Sequence, residues 1–441
     1  MSGLDAAITA TLAIVIAGLA LLVAHRSPRL AFVAALCLLC FVPVWFGARL
    51  GFNGNLLIPV AVLACLAIAL VMLPVTGMRA SPVDALLVFL VVVATSSFLT
   101  SDPVLALSFL VTPFAYFVSG YLVGRIATAR IGAETVYRVV AIVFTLVAVL
   151  ALVEFVTGVN LFIALRIDNS LFSEWGDIQS RGGYDRAEGA FGHSIALGSS
   201  LALAVPLALA ARFPFAVRLG MVSLMLAATV VTFSRIGIIC AFFGVALCAL
   251  LLREQLSRLQ RGLIVVGGSV IAVLLLPLVV AVFTEAGDEA VNSASYRGDL
   301  FPLLASANLV GFSDSVHRSP SGSLTFGSFV SIDSQLVLTG LTSGLLALAA
   351  VAVAVTVAII LCLRGRAQPA TVAVVAQLPA LATVALITQY SVMLWLIVGV
   401  AATSQSLLRA APGAVPAVAP SAVLAPLRLR TAPIRLQTSG D

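Results

Sequence analysis

The stretch that decides the fold is ETVYRVVAIVFTLVAVLALVEFV, residues 134–156. Residues 139–153, between Arg138 and Glu154, carry no charge. A helix needs roughly 20 mostly apolar residues to cross a hydrocarbon core about 30 Å thick. The stretch therefore predicts a transmembrane helix.

Similar apolar runs fill most of the chain. Its 441 residues are 61% hydrophobic and 10% charged, with a mean hydropathy of +1.18. Soluble domains keep about a quarter of their residues charged. The predicted spans are 5–24, 30–48, 55–75, 82–99, 104–122, 134–156, 192–211, 217–233, 236–252, 262–283, 335–363, 371–388 and 392–408. The sequence thus predicts an all-α fold, a polytopic transmembrane bundle of about twelve to thirteen helices within residues 1–409. The first run has an acidic start, so we expect a span rather than a cleavable signal peptide.

The distribution of Arg predicts the orientation of the bundle. All 24 basic residues are Arg, and connectors rich in Arg stay in the cytoplasm. The connectors assigned to the cytoplasm hold Arg26, Arg29, Arg79, Arg125, Arg130, Arg212, Arg218, Arg253, Arg258, Arg261, Arg364 and Arg366. We therefore expect a multi-pass protein of a bacterial plasma membrane, with its N-terminus outside and its C-terminus in the cytoplasm.

Two long connectors carry most of the acids and are assigned to the outer face. The first long loop covers about 157–191 and the second long loop about 284–334. Both mix aromatic with polar residues, which favours packed, site-forming loops over flexible linkers. Residues 410–441 are rich in Ala and Pro without apolar periodicity, and they predict a disordered cytoplasmic tail.

Several classes of function are disfavoured. The six Cys lie inside apolar runs and show neither a disulfide framework nor metal-ligand spacing. The chain contains no nucleotide loop and no Ser-His-Asp order. Its Arg residues lie between spans rather than in one patch, which argues against a nucleic-acid partner. We therefore expect chemistry without a metal or a cofactor.

Three Arg residues on the predicted outer side are candidates for binding a diphosphate. Arg186 precedes a predicted helix, Arg235 lies between two closely spaced spans, and Arg297 lies early in the second long loop. Arg at membrane depth is costly, and its planar fork matches phosphate. Together with a helix N-terminus, these Arg residues would form a diphosphate site. Alternatively, Arg186 and Arg297 form ordinary ion pairs with Glu188 and Asp299.

Other polar residues have both a structural and a functional interpretation. His193 is expected to cap or pack the start of its helix, and His317 to be a solvated loop residue. Asp333 directly precedes a predicted span. It is either the N-cap of that helix or a general base at the mouth of a cavity.

Four segments, taken in order, resemble the superfamily of O-antigen ligases and Wzy-type polysaccharide polymerases. The first pair is RAEGAFGHSIALG at 186–198 and TFSRIGIICAFFGVAL at 232–247. The second pair is SYRGDLFPLLASANLVGF at 295–312 and IDSQLVLTGLTSGLLAL at 332–348. The match covers about 181–350, and the hydropathy layout extends it.

The resemblance implies a membrane enzyme that transfers a glycan from a polyprenyl-diphosphate lipid to an acceptor hydroxyl at the outer face. It implies that Arg186, Arg235 and Arg297 hold the diphosphate. Membrane lipid and other polysaccharide assembly and export proteins would be its partners. The ligases typically have His where this chain has Asp333, so the resemblance favours a polymerase with Asp333 as the base.

Alternatives of other kinds remain. A ligase would transfer a finished glycan to a lipid or protein acceptor. A secondary transporter should show repeat symmetry and broken helices around a midplane site, whereas this sequence has neither an internal repeat nor symmetric interrupted helices. A non-catalytic assembly partner would not need Arg235 at a dehydrated turn.

Overall fold

The structure is a computed structural model and describes most of the chain. The described residues are 25–50, 56–73, 78–96, 111, 113–285, 296, 298–318 and 324–409. The predicted span 5–24, residues 104–110 and 112 of the predicted span 104–122, Arg297 and the tail 410–441 lie outside them.

The described chain is mostly helical. Its helices are α1 Pro28–Phe41, α2 Val60–Val71, α3 Pro82–Ser96, α4 Ser119–Ile131, α5 Ala133–Thr157, α6 Ser170–Trp175, α7 Ser194–Ala210, α8 Phe215–Val231, α9 Arg235–Leu251, α10 Arg258–Glu285, α11 Gln335–Ser343, α12 Leu345–Leu363, α13 Pro369–Ala376, α14 Leu378–Thr383 and α15 Thr388–Arg409. Its strands are β1 Gly47–Leu50, β2 Leu56–Pro59, β3 Ser180–Arg181, β4 Tyr184–Asp185, β5 Val316–Arg318 and β6 Leu324–Phe326.

Among the described residues, four helices are long and apolar enough to cross a membrane. They are Ala133–Thr157, Arg258–Pro277, Leu345–Leu363 and Thr388–Leu408. The other apolar helices of the described chain have 10–17 residues, and 17 helical residues extend about 25 Å. These helices indicate association with a membrane.

Helix α5 illustrates how the sequence sets its own boundaries. It begins after Gly132 and ends at Gly158, which adopts the left-handed conformation and bonds back to the Glu154 carbonyl at 2.8 Å. One apolar face packs into the core. On the opposite face Ile142, Leu146 and Val153 are exposed at helical spacing, as expected for contact with lipid.

Helix α7 lies at the centre of the bundle. Every residue from Ser194 to Ala210 is buried except Ile195, and α5, α8, α9, α13 and α15 pack around it. A helix that is apolar on all sides belongs in the interior. This central helix fixes the ends of α8 and α9, where the candidate site lies.

Helices α4 and α15 pack at close range. A Cβ at Gly124 would lie 2.0 Å from the Leu396 carbonyl oxygen, and one at Gly120 would lie 2.3 Å from that of Val392. The two Gly residues are four apart, the spacing that lets helix backbones approach each other within membranes.

Arg125 lies inside α4, so the prediction that it belongs to a connector between helices is wrong. Its guanidinium is 1% exposed and pairs with Asp84 of α3 at 2.7 Å. It also donates to the Thr403 hydroxyl of α15 at 3.1 Å, and the Tyr121 hydroxyl donates to Asp84. A complete set of partners makes the burial of this charge tolerable. Arg130 likewise lies in the last turn of α4.

Two predicted spans are interrupted. The span 335–363 is divided into α11 and α12 at Gly344, whose φ is +91°. The span 371–388 consists of α13 and α14, with a break at Gln377, and residues 385–387 then have no regular structure. The predicted connector Gln389–Ser391 instead belongs to α15. Apolarity alone did not reveal these breaks.

The fold also contains short hairpins that an all-α prediction omits. Strands β1 and β2 pair between Gly47↔Pro59 and Leu50↔Leu56, so the predicted spans 30–48 and 55–75 each lose one end to this hairpin. The pairs β3–β4 and β5–β6 lie in the first and second long loops. Strand pairing satisfies the backbone groups of connectors that leave the helices.

Candidate functional site

A tight turn joins α8 to α9. Helix α8 ends at Val231, and Phe233 in the turn is fully buried with a φ of +47°. Such a conformation is strained for a residue with a side chain. The Ser234 hydroxyl accepts from the Gly237 N–H at 3.2 Å and caps α9. A Cβ at Gly237 would lie 3.0 Å from the Gly198 carbonyl carbon, so the start of α9 lies directly against α7.

Three hydrogen-bond donors of the first long loop bond to the backbone carbonyls of this turn. The Ala187 N–H donates to the Val231 carbonyl at 3.2 Å, Arg186 Nε to that of Thr232 at 2.9 Å, and an Arg181 Nη to that of Phe233 at 3.2 Å. The last carbonyls of a helix have no partner within it. The loop satisfies them, and it brings two guanidinium groups to the turn that precedes Arg235.

The three Arg residues at this turn differ in exposure. Arg186 is 5% exposed and also donates to Gln179 Oε1 at 3.0 Å. Arg181 and Arg235 are half-buried, and Arg235 is the first residue of α9. Arg186 and Arg235, predicted for one site, therefore lie at one turn. Arg181 was missed, although it stands five residues before Arg186 in the same loop.

The buried carboxylate of Glu154 also binds the first long loop. Glu154 Oε1 accepts from the Glu188 N–H at 3.1 Å and from Asn160 Nδ2 at 2.9 Å, and Oε2 accepts from the Gly189 N–H at 2.9 Å. Glu154 thereby fixes the backbone that follows Arg186. The sequence signal for this role was an acid inside the apolar run 134–156.

Glu188 lies in the first long loop, six residues before the start of α7. Its carboxyl is 2% exposed and accepts from the Gln179 N–H at 3.2 Å. Burial raises the pKa of Glu188 to about 8, although the charge of Arg186 works in the opposite direction. The Glu188 carboxyl is therefore mostly protonated at neutral pH and can act as a hydrogen-bond donor.

His193 occupies the N-cap of α7, as the packing interpretation predicted. Its Nδ1 accepts from the Ile195 N–H at 3.1 Å, and its ring meets that of Trp175 edge to face at 5.9 Å. Because Nδ1 accepts this hydrogen bond, it carries no proton, and the ring is neutral. His193 and Glu188 together occupy this helix N-terminus. The N-terminus of α7 is therefore occupied by side chains of the chain itself.

Trp45 anchors the remainder of the first long loop. It is fully buried, and its Nε1 donates to the Leu165 carbonyl at 3.1 Å. Asn169 caps α6 and donates through Nδ2 to the Trp45 carbonyl at 2.8 Å. The loop is therefore a packed structure, as its aromatic content indicated.

The second long loop surrounds Asp333. The N-cap of α11 is Ser334, whose hydroxyl accepts from the Val337 N–H at 3.3 Å, so the N-cap interpretation of Asp333 is wrong. Asp333 is half-buried and accepts from the Ser331 hydroxyl at 3.2 Å. The Tyr296 hydroxyl donates to the Ser331 carbonyl.

His317 lies in β5 and is exposed, as expected of a solvated loop residue. Residues Leu300, Phe326, Ile332, Val337 and Leu341 form a small core beneath this part of the loop. That core holds the segment that carries Asp333 against α11.

The segment before α15 connects the two loops. Gln335 N–H donates to the Val384 carbonyl at 3.0 Å, and the Leu386 N–H donates to Gln335 Oε1 at 2.9 Å. Gln389 Nε2 then donates to the Ala190 carbonyl at 2.9 Å. The segment that bears Asp333 and the segment that bears Arg186 and Glu188 therefore lie at the same end of the bundle.

Within the ranges described above, no group of three or more His, Cys, Asp or Glu residues could hold a metal ion. Comparison of the chain with protein-family models, with curated proteins and with solved structures finds no match.

Proposed function

We propose that this protein is a polytopic membrane glycosyltransferase that polymerises polysaccharide. It transfers a polyprenyl-diphosphate-linked glycan to an acceptor hydroxyl at the outer face of a bacterial plasma membrane. We propose that the protein has about twelve to thirteen spans, with both long loops outside and the C-terminus in the cytoplasm.

One observation carries the proposal. Arg186 and Arg235 are 49 positions apart in the sequence, yet Arg186 donates to the carbonyl of Thr232, three residues before Arg235. Arg181 reaches the same turn. Arg side chains gathered at the N-terminus of α9 suit a diphosphate, because guanidinium forks and helix N–H groups both bind phosphate oxygens.

The reaction requires a leaving group, a base and an acceptor. The acceptor oxygen attacks the anomeric carbon of the lipid-linked glycan, and the bond from that carbon to the diphosphate oxygen breaks. Polyprenyl diphosphate leaves with the bonding electron pair, and the Arg side chains neutralise its developing charge. Asp333 takes the proton of the acceptor hydroxyl. Arg297, in the second long loop, completes the proposed diphosphate set.

A reconstituted assay tests the proposal. The purified protein is mixed with polyprenyl-diphosphate-linked repeat units, and the products are separated on a gel. A ladder of polymer lengths is the expected result. Transfer of one glycan to a separate lipid or protein acceptor, without a ladder, would instead favour the ligase function. The absence of any transfer would contradict both enzymatic functions.

The interrupted helices favour a second candidate, a secondary transporter. The break at Gln377 lies between two short apolar helices, and Gln377 is fully buried, with Oε1 accepting from the Tyr390 hydroxyl at 3.0 Å. Broken helices with buried polar groups form the sites of many transporters. Polymerisation proceeds in detergent solution, whereas transport requires a sealed vesicle. Activity that depends on sealed vesicles would therefore support the transporter.

A further inference from the structure

A second site lies away from the turn between α8 and α9. A cavity of about 530 Å³ opens between α3, α11, α12, α13 and α15. Its walls are mostly apolar and include Leu90, Val355 and Leu394. Pockets of about 300–1,000 Å³ with mainly apolar walls commonly hold ligands.

The cavity is elongated along the helices. Its lining on α15 runs from Leu394 to Ser406, and on α3 from Pro82 to Ala94. Twelve helical residues extend about 18 Å. A site of this length between helices suits an extended hydrocarbon chain better than a compact solute.

The two ends of the cavity differ in charge. One end is near Gln335, at the start of α11, and the other holds Arg79, Gln405 and Ser406. The side chain of Arg79 is exposed, and among the described residues it has no hydrogen bond or ion pair. Its backbone carbonyl is fixed because it accepts from Arg125. An unpaired cation therefore stands at the polar end of an apolar cavity.

We propose that this cavity binds an anionic phospholipid, with one acyl chain along α12 and α15 and the phosphate against Arg79. A guanidinium attracts anionic headgroups, and the apolar walls accept the chain. Arg79 is at the cavity end remote from Gln335 and Asp333. A phosphate held there is distinct from the diphosphate of the proposed donor, so the site does not depend on the proposed function.

Matched variants test each part of the site. Ala354→Phe fills the cavity, whereas Ala352→Phe places the same ring two residues away on an exposed position of α12. Arg79→Gln removes the charge at the cavity end. Arg258→Gln removes an exposed Arg that lies outside the cavity. All four variants are reconstituted in vesicles of equal parts phosphatidylglycerol and phosphatidylcholine, extracted, and weighed with bound lipid by native mass spectrometry.

We expect the wild type, Ala352→Phe and Arg258→Gln to retain one phosphatidylglycerol per chain. Ala354→Phe should lose most of it, and Arg79→Gln should lower the preference for phosphatidylglycerol by about fivefold, the effect of one cation beside an anionic headgroup. Equal retention by Ala354→Phe and Ala352→Phe would overturn the proposal. So would an unchanged lipid preference in Arg79→Gln, which remains informative if Ala354→Phe does not fold. Retention of a polyprenyl phosphate in place of phospholipid, in protein extracted directly from cells, would also overturn it.

Discussion

Three positively charged side chains lie at one turn and differ in burial: Arg181, Arg186 and Arg235. Arg186 is buried and bonded to the Thr232 carbonyl, so it holds the turn in shape. Arg181 and Arg235 are half-buried and are therefore better placed to meet a ligand. Substitution of a guanidinium that holds the turn should lower stability. Substitution of one that binds a diphosphate should lower activity instead.

The first prediction concerns the fork of Arg235. Lys keeps the positive charge but loses the planar pair of donors. We expect Arg235→Lys to lose polymer formation almost as completely as Arg235→Ala, while both proteins accumulate normally. The measurement is the gel ladder from purified protein, with Arg258→Ala as the control at an exposed position. A full ladder from Arg235→Ala would remove Arg235 from the diphosphate site.

The second prediction concerns the pH dependence of stability at Glu188. The pKa of Glu188 is about 8 in the folded protein and near 4.5 ordinarily. Between these values the folded state binds more protons than the unfolded chain, so Glu188 makes the protein less stable as pH rises from about 5 to 8. Glu188→Gln removes this dependence. We expect the variant to gain up to about 4 kcal/mol relative to the wild type over this range.

Thermal unfolding midpoints at pH 5, 6, 7 and 8 measure this gain. Glu254→Gln changes an exposed acid and serves as the control. If the difference between Glu188→Gln and the wild type does not change with pH, Glu188 is not the protonated group that its burial requires.

At the scale of elements, the contact between α4 and α15 leaves no room for a side chain at two positions of α4. Gly120 and Gly124 meet backbone carbonyls of α15, and backbone atoms cannot rotate out of the way. The same contact aligns Arg125 with Thr403. Close backbone packing and a buried ion pair therefore depend on the same helix pair.

The third prediction tests this contact. Gly124→Ala should lower stability by more than about 2 kcal/mol, because its Cβ would lie 2.0 Å from the Leu396 carbonyl oxygen. Gly220→Ala, in α8, meets nothing within 4 Å and should be neutral or slightly stabilising. The measurement is the thermal unfolding midpoint of both variants. Equal midpoints would show that α4 and α15 are farther apart than the structure places them.

The fourth prediction separates Asp333 from its neighbour at the start of α11. Since Ser334 is the N-cap, Ser334→Ala should cost about 1 kcal/mol of stability. Asp333→Asn should leave stability unchanged and abolish transfer, with donor binding retained. Unfolding midpoints and gel ladders measured on both variants provide the test. A near-normal ladder from Asp333→Asn would rule out its role as a base.

Helix boundaries show how far the sequence could predict the fold. The predicted span 134–156 agrees with the observed helix α5, Ala133–Thr157, because Gly132 and Gly158 mark its ends. The breaks at Gly344 and Gln377 were missed, since both lie inside continuous apolar runs. Hydropathy predicts whether a residue lies in an apolar environment. A helix break depends instead on hydrogen-bond partners that distant segments supply to the backbone.

For the candidate site, the sequence predicted residues better than partners. Arg186 and Arg235 were singled out, and the turn brings them together. Two residues support them. Glu154 had a sequence signal, as an acid inside an apolar run, whereas Gln389 had none. The partners of both are backbone groups far away in the sequence: Gln389 donates to the Ala190 carbonyl, and Glu154 accepts from the Gly189 N–H. Such contacts exist only once the helices have packed.

The last prediction concerns the whole molecule and its orientation in the membrane. Connectors rich in Arg are expected in the cytoplasm, and the two acidic long loops outside. Ser173 in the first long loop and Ser257 in an Arg-rich connector are both exposed, so a Cys at either position would be reachable from its own side of the membrane. In intact cells, on a background without the six native Cys, an impermeant thiol reagent should modify Ser173→Cys and leave Ser257→Cys unmodified. After the cells are opened, both should react, which shows that the second Cys is accessible. Labelling of Ser257→Cys alone in intact cells would invert the topology, and it would place Arg235 and Asp333 on the side opposite to the proposed donor and acceptor.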